Sequence, residues 1–420
     1  MIHVHSNYGF HPVGQGLFSS GCICTNDSPH FNWVFDCGTA SSLDYLRKQI
    51  GKYKVFLSAR PIGLFCLSHF DKDHVNGARE LLSLQRVDTL AMPYFPLVER
   101  MAIALADPDL TDDYLAFLVD PAGYMYAAAG DNLGNVIFIT GGDNPPETPD
   151  EPITPDSPDD SDWDLQYPDT KVQEAPDPED LHGVSDSNTW RGVRVFTHAK
   201  PFTVDGVWEF MFYNEHIPDK RSAALRKKVS AIIRKHKRSN GSFDGDNLID
   251  ELEIVYEDEF GSTGVAKNRI SLVLYTGPLN RSDLTGFRIF GGLTTQGAGS
   301  PYWPYAYDLC DPAAEPCKMS VGYFGDFPLT SLRRLNKIKS HFGKRRWSWI
   351  EVVQIPHHGS RHSWFPGARA HFEHQASLIS SARLSAKHPS QEVLDDLNDH
   401  GLMLVNEIQG ARFLGHVQFE

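Results

Sequence analysis

The run Ile62-Gly63-Leu64-Phe65-Cys66-Leu67-Ser68 is apolar almost throughout, and it flows directly into His69-Phe70-Asp71-Lys72-Asp73-His74. A run of this kind offers no polar face to solvent, so it is expected as a strand covered on both sides. Ala78, Leu81 and Leu82 follow at helical spacing. Buried strand, polar turn and helix form a layered α/β unit, whose chemically active side chains gather at the strand's C-terminal end.

Other segments repeat the theme. Residues 21–25, 33–37, 191–198, 207–213, 269–275, 321–324 and 349–355 read as strands. A helix is expected from the N-cap Ser42 through Leu43, Leu46 and Ile50, and another from Ser390 to 400, stopped by Gly401. With 420 residues the chain has room for one large or two modest domains.

The net charge of −15 is unevenly placed. Residues 143–180 hold 14 acids and one base, a local −13 that leaves −2 for everything else. Nine of the 27 prolines fall in 141–183 among few aliphatics, so this stretch is expected as a disordered, exposed acidic insertion that a protein partner could recognise. Residues 220–238 instead carry nine Lys or Arg. Leu225, Val229, Ile232 and Ile233 give that segment the apolar stripe of an amphipathic helix, with Arg226, Lys227, Lys228, Arg234 and Lys235 as candidate contacts to nucleic-acid phosphates. No apolar run nears the roughly 20 residues that span a bilayer. The N-terminus lacks an export pattern and the six cysteines are few, so reduced thiols and a cytoplasmic location are expected.

His69, Asp71, Asp73 and His74 place four metal-ligand side chains within six residues, and in an extended turn alternate members would converge. Two further groups end apolar strands. Gly325-Asp326 follows Tyr323-Phe324, and His357-His358-Gly359-Ser360 follows Val352-Val353-Gln354-Ile355-Pro356. Gly-Asp alone is most often a turn. Together these groups suit a pair of divalent cations bridged by the carboxylate of Asp326, activating a water.

These blocks, in order, resemble a family. Val13-Gly14-Gln15-Gly16, Phe35-Asp36-Cys37-Gly38, Ser68 to His74, Asn268-Arg269-Ile270-Ser271-Leu272-Val273-Leu274, Gly325-Asp326, Pro356 to Ser360 and His388-Pro389-Ser390 are similar to the metallo-β-lactamase-fold domain of the competence protein ComEC and its soluble relatives. The likeness covers about residues 1–85 and 265–420. It implies an α/β fold, an αββα sandwich with its site at one edge of two packed sheets, and metal-dependent phosphodiesterase or nuclease activity. By that resemblance His69, Asp71, Asp73, His74 and Asp326 are metal-site residues, completed by His357 or His358, with His357 favoured. His388 stands beside the cleft as ligand or proton donor, so that Asp73, Asp326 and His388 are the candidate catalytic residues. Asp36 supports the ligand turn from behind, and Ser360 donates a hydrogen bond to a phosphate or ligand.

Where the broader fold family has a histidine, this chain has Asp71, a change that the ComEC-like branch shares; the harder, more anionic site suits manganese as well as zinc. The gap from His74 to Asp326 is also far longer than a compact domain of this kind needs. The expected organisation is therefore a first half at 1–90, an inserted cap at 91–264 and a second half at 265–420. The leading expectation for function is cleavage of DNA or RNA by a water activated between two metal ions. Hydrolysis of a cyclic nucleotide, lactone or thioester, or a non-catalytic regulatory role at a retained metal site, are the alternatives, and the resemblance adds a partner in a phage-defence system.

Overall fold

A computed structural model describes residues 2–25, 30–142, 163–168, 193–215, 223–239, 242–260, 271–295, 307–308, 318–372, 376–397 and 401–420. Two sheets form its centre. The larger runs, edge to edge, Tyr307–Asp308, Leu284–Thr295, Gln409–Phe419, Ile2–Phe10, Phe18–Cys24, His30–Cys37, Leu64–Cys66, Val87–Pro93, Leu133–Thr140 and Val193–Thr197. The smaller runs Leu402–Val405, Ala376–Ser380, Ile350–Gln354, Ser320–Tyr323, Val273–Pro278, Trp208–Tyr213, Phe202–Val204 and Leu165–Gln166.

Side-chain alternation decides what each face covers. Tyr8, Trp33, Phe35, Trp208, Phe210 and Tyr323 fill the space between the sheets. Phe35 stacks on Tyr323 at 4.6 Å, and Trp33 meets Phe210 edge-on at 5.3 Å. Outside the larger sheet, helices that include Leu43–Leu57, Ala78–Leu84, Leu97–Leu105, Asp112–Val119, Ala223–His236 and Gly245–Phe260 build a second core on Val34, Phe65, Leu90 and Phe138. Outside the smaller, Leu332–Trp349 and Gln391–Leu397 build a third on Val273, Val353 and Ile379. The layers are therefore helix, sheet, sheet, helix, the α/β sandwich expected.

Each sheet has a parallel half. From His30–Cys37 to Val193–Thr197 successive neighbours in the larger sheet are parallel, as are Ser320–Tyr323, Ile350–Gln354, Ala376–Ser380 and Leu402–Val405 in the smaller. Asp36, His69, Asp326 and His357 stand at or just beyond the C-terminal ends of such strands, which is how segments far apart in sequence reach one place.

Described residues of 91–264 contribute strands to both sheets. Leu133–Thr140 and Val193–Thr197 extend the larger sheet, and Trp208–Tyr213 and Phe202–Val204 the smaller. Runs such as Val136 to Ile139 and Trp208 to Phe212 bury both faces, so they belong inside a sandwich. The inter-sheet core consequently draws Trp33, Trp208 and Tyr323 from all three segments of the expected division. The expectation of a disordered stretch at 141–183 needs correction over Trp163 to Pro168. Leu165–Gln166 pairs with Thr203 and Val204, and Trp163 is buried between the sheets, because aromatic surface does there what the scarce aliphatics cannot. The rest of that stretch beyond residue 142, with Asn268 to Ile270, Cys310 and Cys317, lies outside the described residues. Cys22, Cys24, Cys37 and Cys66 are free thiols.

One core residue carries a pH signature. Glu351 is 2% exposed and its Oε1 has no hydrogen-bond partner. Burial pushes its pKa up to about 8, against a weaker pull downward from Lys318. The folded chain therefore keeps a proton that the unfolded chain has released, and stability must fall as pH rises from the ordinary glutamate range to about 8. Glu351→Gln should remove this slope and raise stability at pH 8.5 by on the order of 3 kcal/mol, read from urea unfolding at pH 5 and pH 8.5.

Candidate metal centre

The ligand turn is short because a helix starts inside it. Lys72–Val75 is one helical turn, with Asp71 at its N-cap position but making no capping hydrogen bond. The Asp71 carboxylate is thus free of the usual capping duty, and its Oδ2 lies 3.8 Å from His69 Nε2. This corrects the extended turn expected from alternation. Helical curvature brings His74 back against His69, their ring centres 4.1 Å apart, and carries Asp73 to His358, whose Nε2 is 3.0 Å from Asp73 Oδ2.

Two glycines let that turn sit so deep. A Cβ on Gly38 would lie 2.4 Å from the Asp73 carbonyl carbon, and one on Gly16 would lie 2.7 Å from the Asp73 oxygen. Their blocks therefore serve the site by leaving room for its backbone. On the outer flank, Tyr114 donates from its hydroxyl to the Phe70 carbonyl at 2.6 Å, and Lys72 pairs with Asp107 at 2.7 Å. The 91–264 segment meets the site through this clasp.

Asp36, expected to support the ligand turn, is fully buried with φ +56°. Its Oδ1 accepts from the Ser68 backbone N–H at 2.6 Å, and its Oδ2 from the Ser68 hydroxyl and from His74 Nδ1, both at 2.7 Å. The Ser68 hydroxyl spends its proton on Asp36, so it accepts from His69 Nδ1 at 2.8 Å. His358 Nδ1 donates to the Ser380 carbonyl at 2.7 Å, since a carbonyl can only accept. In all three rings Nδ1 is thereby committed to a proton, which leaves Nε2 as the nitrogen turned toward the cluster. Ser68 was missed in the sequence, where its hydroxyl looks like part of the strand.

Asp326 arrives from the other sheet. Gly325 has φ +51° and no room for a Cβ beside Ser271 and Ser68. The side chain of Gln354 accepts from the Phe324 and Gly325 N–H groups, and Ser271 Oγ accepts from the Asp326 N–H. Asp326 Oδ1 lies 3.0 Å from His74 Nε2 and 3.9 Å from His358 Nε2; Oδ2 lies 3.7 Å from both His69 Nε2 and His357 Nε2. His357, His358 and Gly359 are consecutive residues at positive φ, a costly backbone for two histidines that turns both rings toward the cluster. His358 is the closer and more buried of the pair, while His357, the member favoured from sequence, is partly open and held by Ser363 at 2.9 Å.

Burial opposes charge throughout, and the neighbours decide each outcome. Burial works against protonation of His74, but Asp326, Asp36 and Asp73 outweigh it and raise its pKa well above the ordinary value. Asp326 is likewise penalised by burial yet held well below the usual carboxylate range by His74, His358 and His69. Asp73 is brought down to about 2 by His74 and His358 in the same way. Asp71 has less help, and burial raises it.

The donor set fits a divalent cation. His69 with His74 and Asp326, and Asp73 with His74 and His358, each bring three ligand atoms within 4.8 Å of one another. His69 Nε2 is buried without a hydrogen bond, and the buried His74 Nε2 and Asp326 Oδ1 face each other at 3.0 Å, an arrangement that a cation would satisfy. His388 sits at the mouth, its ring 5.7 Å from that of His357, and lines cavities of about 850 Å³ and 600 Å³ on either side. Ser360 is buried, and its hydroxyl accepts from the His362 N–H at 3.3 Å, so it shapes the turn after the histidines. Arg226, Lys227, Lys228, Arg234 and Lys235 lie on the expected helix, Ala223–His236, whose Leu225, Val229 and Ile233 are buried. Lys235 pairs with Glu251 of the neighbouring helix, which spends part of that charge.

No family model matches the sequence, and no curated protein does. Among solved structures the chain is similar to a long form RNase Z from yeast, at 8% identity and a TM-score of 0.30, over 96% of this chain and 36% of that one. The chain thus spans little more than a third of that structure's length.

Replacing Asp36 by Asn keeps the shape but turns one acceptor into a donor facing Ser68 or His74. Affinity for Zn²⁺ or Mn²⁺ should fall about 10–100-fold, measured by competition with a chelator; an unchanged affinity would remove Asp36 from the orienting role.

Proposed function

We propose that this chain is a metal-dependent phosphodiesterase that cleaves DNA or RNA at a centre for two divalent cations, zinc or manganese. The observation that carries this reading is the split of Asp326, one carboxylate oxygen toward His74 and His358 and the other toward His69 and His357. On that division His69, Asp71, His357 and Asp326 would hold one cation, and Asp73, His74, His358 and Asp326 the other. Bound cations of this kind supply an activated water and neutralise the charge that develops on phosphoryl oxygens.

The remaining work falls to the chain itself. Asp73 and Asp326 accept hydrogen bonds and so orient the attacking water, while Asp36 and Ser68 keep the rings from turning their N–H groups toward the phosphate. Burial beside His358 and His357 holds His388 down at about 4, so near neutral pH it is uncharged and offers a ring N–H to the phosphate or the leaving oxygen. The 850 Å³ cavity is lined by Arg361, His362 and Lys387 along with Ser360, Ser390 and one acid, Glu392, which pairs with Arg361 at 3.2 Å and leaves Lys387 as the lining cation outside that pair. Such a wall suits a polyanion better than a lactone or thioester, whose pockets are mostly apolar. The ComEC-like motif order supports the same substrate class.

Single- and double-stranded DNA and RNA, each supplied with Mn²⁺, Zn²⁺ or Mg²⁺, would test the reading. Cleavage should fall about 100-fold or more in Asp73→Ala and in His388→Ala, with metal content reduced only in the first. Native protein that carries no metal and cuts none of these substrates would overturn it.

The helix Ala223–His236 would add contacts that ignore sequence. Changing Arg226, Lys227, Lys228, Arg234 and Lys235 together to Gln should weaken binding of uncleaved substrate and flatten its dependence on salt. If affinity and slope stay the same, binding rests on the Arg361 and Lys387 wall alone.

A further inference from the structure

A second cavity, of about 310 Å³, lies on the outer face of the larger sheet beneath the helix Leu43–Leu57. Strand alternation explains it. Tyr8, Phe10, Ile23, Ala411 and Phe413 belong to the inter-sheet core, so their neighbours Gly9, Ser20, Cys22 and Arg412 face outward. Three of these four are small, and the helix cannot descend far enough to fill the space above them. Its Gln49, Tyr53 and Phe56 form the roof.

The lining is charged with one sign. Arg412 and Lys52 border the space with His11, and among the described residues no Asp or Glu lines it. The Arg412 guanidinium donates from Nε to a neutral acceptor, Asn7 Oδ1, at 2.8 Å. Burial lowers its pKa. Burial also takes His11 down to about 3, with Arg412 and Lys52 pushing the same way, so the three basic groups feel one another. Gln49 is 3% exposed and its side-chain nitrogen has no hydrogen-bond partner. A half-buried cation with no carboxylate beside it among the described residues and an unsatisfied buried amide are what an anion would complete. Aromatic surface stands beside them: Tyr53 packs edge-on to His11 at 5.7 Å and stacks with Phe56 at 6.1 Å.

We infer that this cavity binds a small organic anion, a phosphate or carboxylate carried on a planar apolar body, with Arg412 and Gln49 holding the anion and Tyr53 and Phe56 covering the body. The site is separate from the metal centre and does not depend on the function proposed there. The two sources of such an anion are distinguished by uridine 5′-monophosphate and benzoate, with inorganic phosphate as the bare anion.

Titration calorimetry with each of the three probes, on native protein, Arg412→Gln, Gly9→Val and Asp73→Ala, tests the assignment. A Cβ at Gly9 would meet nothing nearer than Ser20 Oγ at 3.4 Å, so the backbone there has room for a side chain, and Gly9→Val, which projects methyls into the cavity, serves even if Arg412→Gln fails to fold. The expected result is saturable binding of uridine 5′-monophosphate or benzoate, weakened about tenfold or more in Arg412→Gln and Gly9→Val and unchanged in Asp73→Ala. No saturable binding of either organic anion would overturn the inference. So would binding of inorganic phosphate alone, or binding lost in Asp73→Ala and kept in Arg412→Gln, which would place the ligand at the metal centre.

Discussion

The buried carboxylate of Asp36 governs the centre. It fixes the end of the Leu64–Cys66 strand through the Ser68 backbone, and through two further hydrogen bonds it settles which nitrogen of His74 and of His69 carries the proton. With either ring in the other tautomer, an N–H would point where a lone pair is needed, and the cluster would lose its ligand character without moving an atom far. A fully buried carboxylate is expensive unless satisfied. Three donors satisfy this one, so chain folding and ligand orientation are served by the same contacts.

The part of this legible in the sequence is the part written locally. Four ligand-type residues in six, directly after an apolar run, have no common structural explanation. Asp326 is an ordinary Gly-Asp turn until the other groups give it a partner. What stayed hidden depends on residues that meet only in three dimensions. The need for glycine at 16 and 38 comes from the backbone of Asp73, far along the chain, and the role of Ser68 exists only because Asp36 lies beside it. The strand Ile2–Phe10 shows its alternation in the buried Val4, Tyr8 and Phe10, but its pairing with Gln409–Phe419 joins segments that no local pattern connects.

The middle of the chain teaches a related lesson about composition. Counting aliphatics and acids describes 141–183 as unable to pack, yet Trp163 buries itself and Leu165–Gln166 closes the edge of the smaller sheet. One large aromatic ring can anchor a short strand that average composition would dismiss. The same average hid the positive outer cavity, since the net charge of the whole chain is set by a segment elsewhere.

His69 to His74 hang from the larger sheet, while Asp326, His357 and His358 hang from the smaller. A cation gripped by both groups would therefore act as a staple between the two sheets, closing a loop of some 250 residues in the way a covalent crosslink does. The reactive centre would double as a mechanical fastening, and losing its ion would loosen the seam along which the two halves of the sandwich meet.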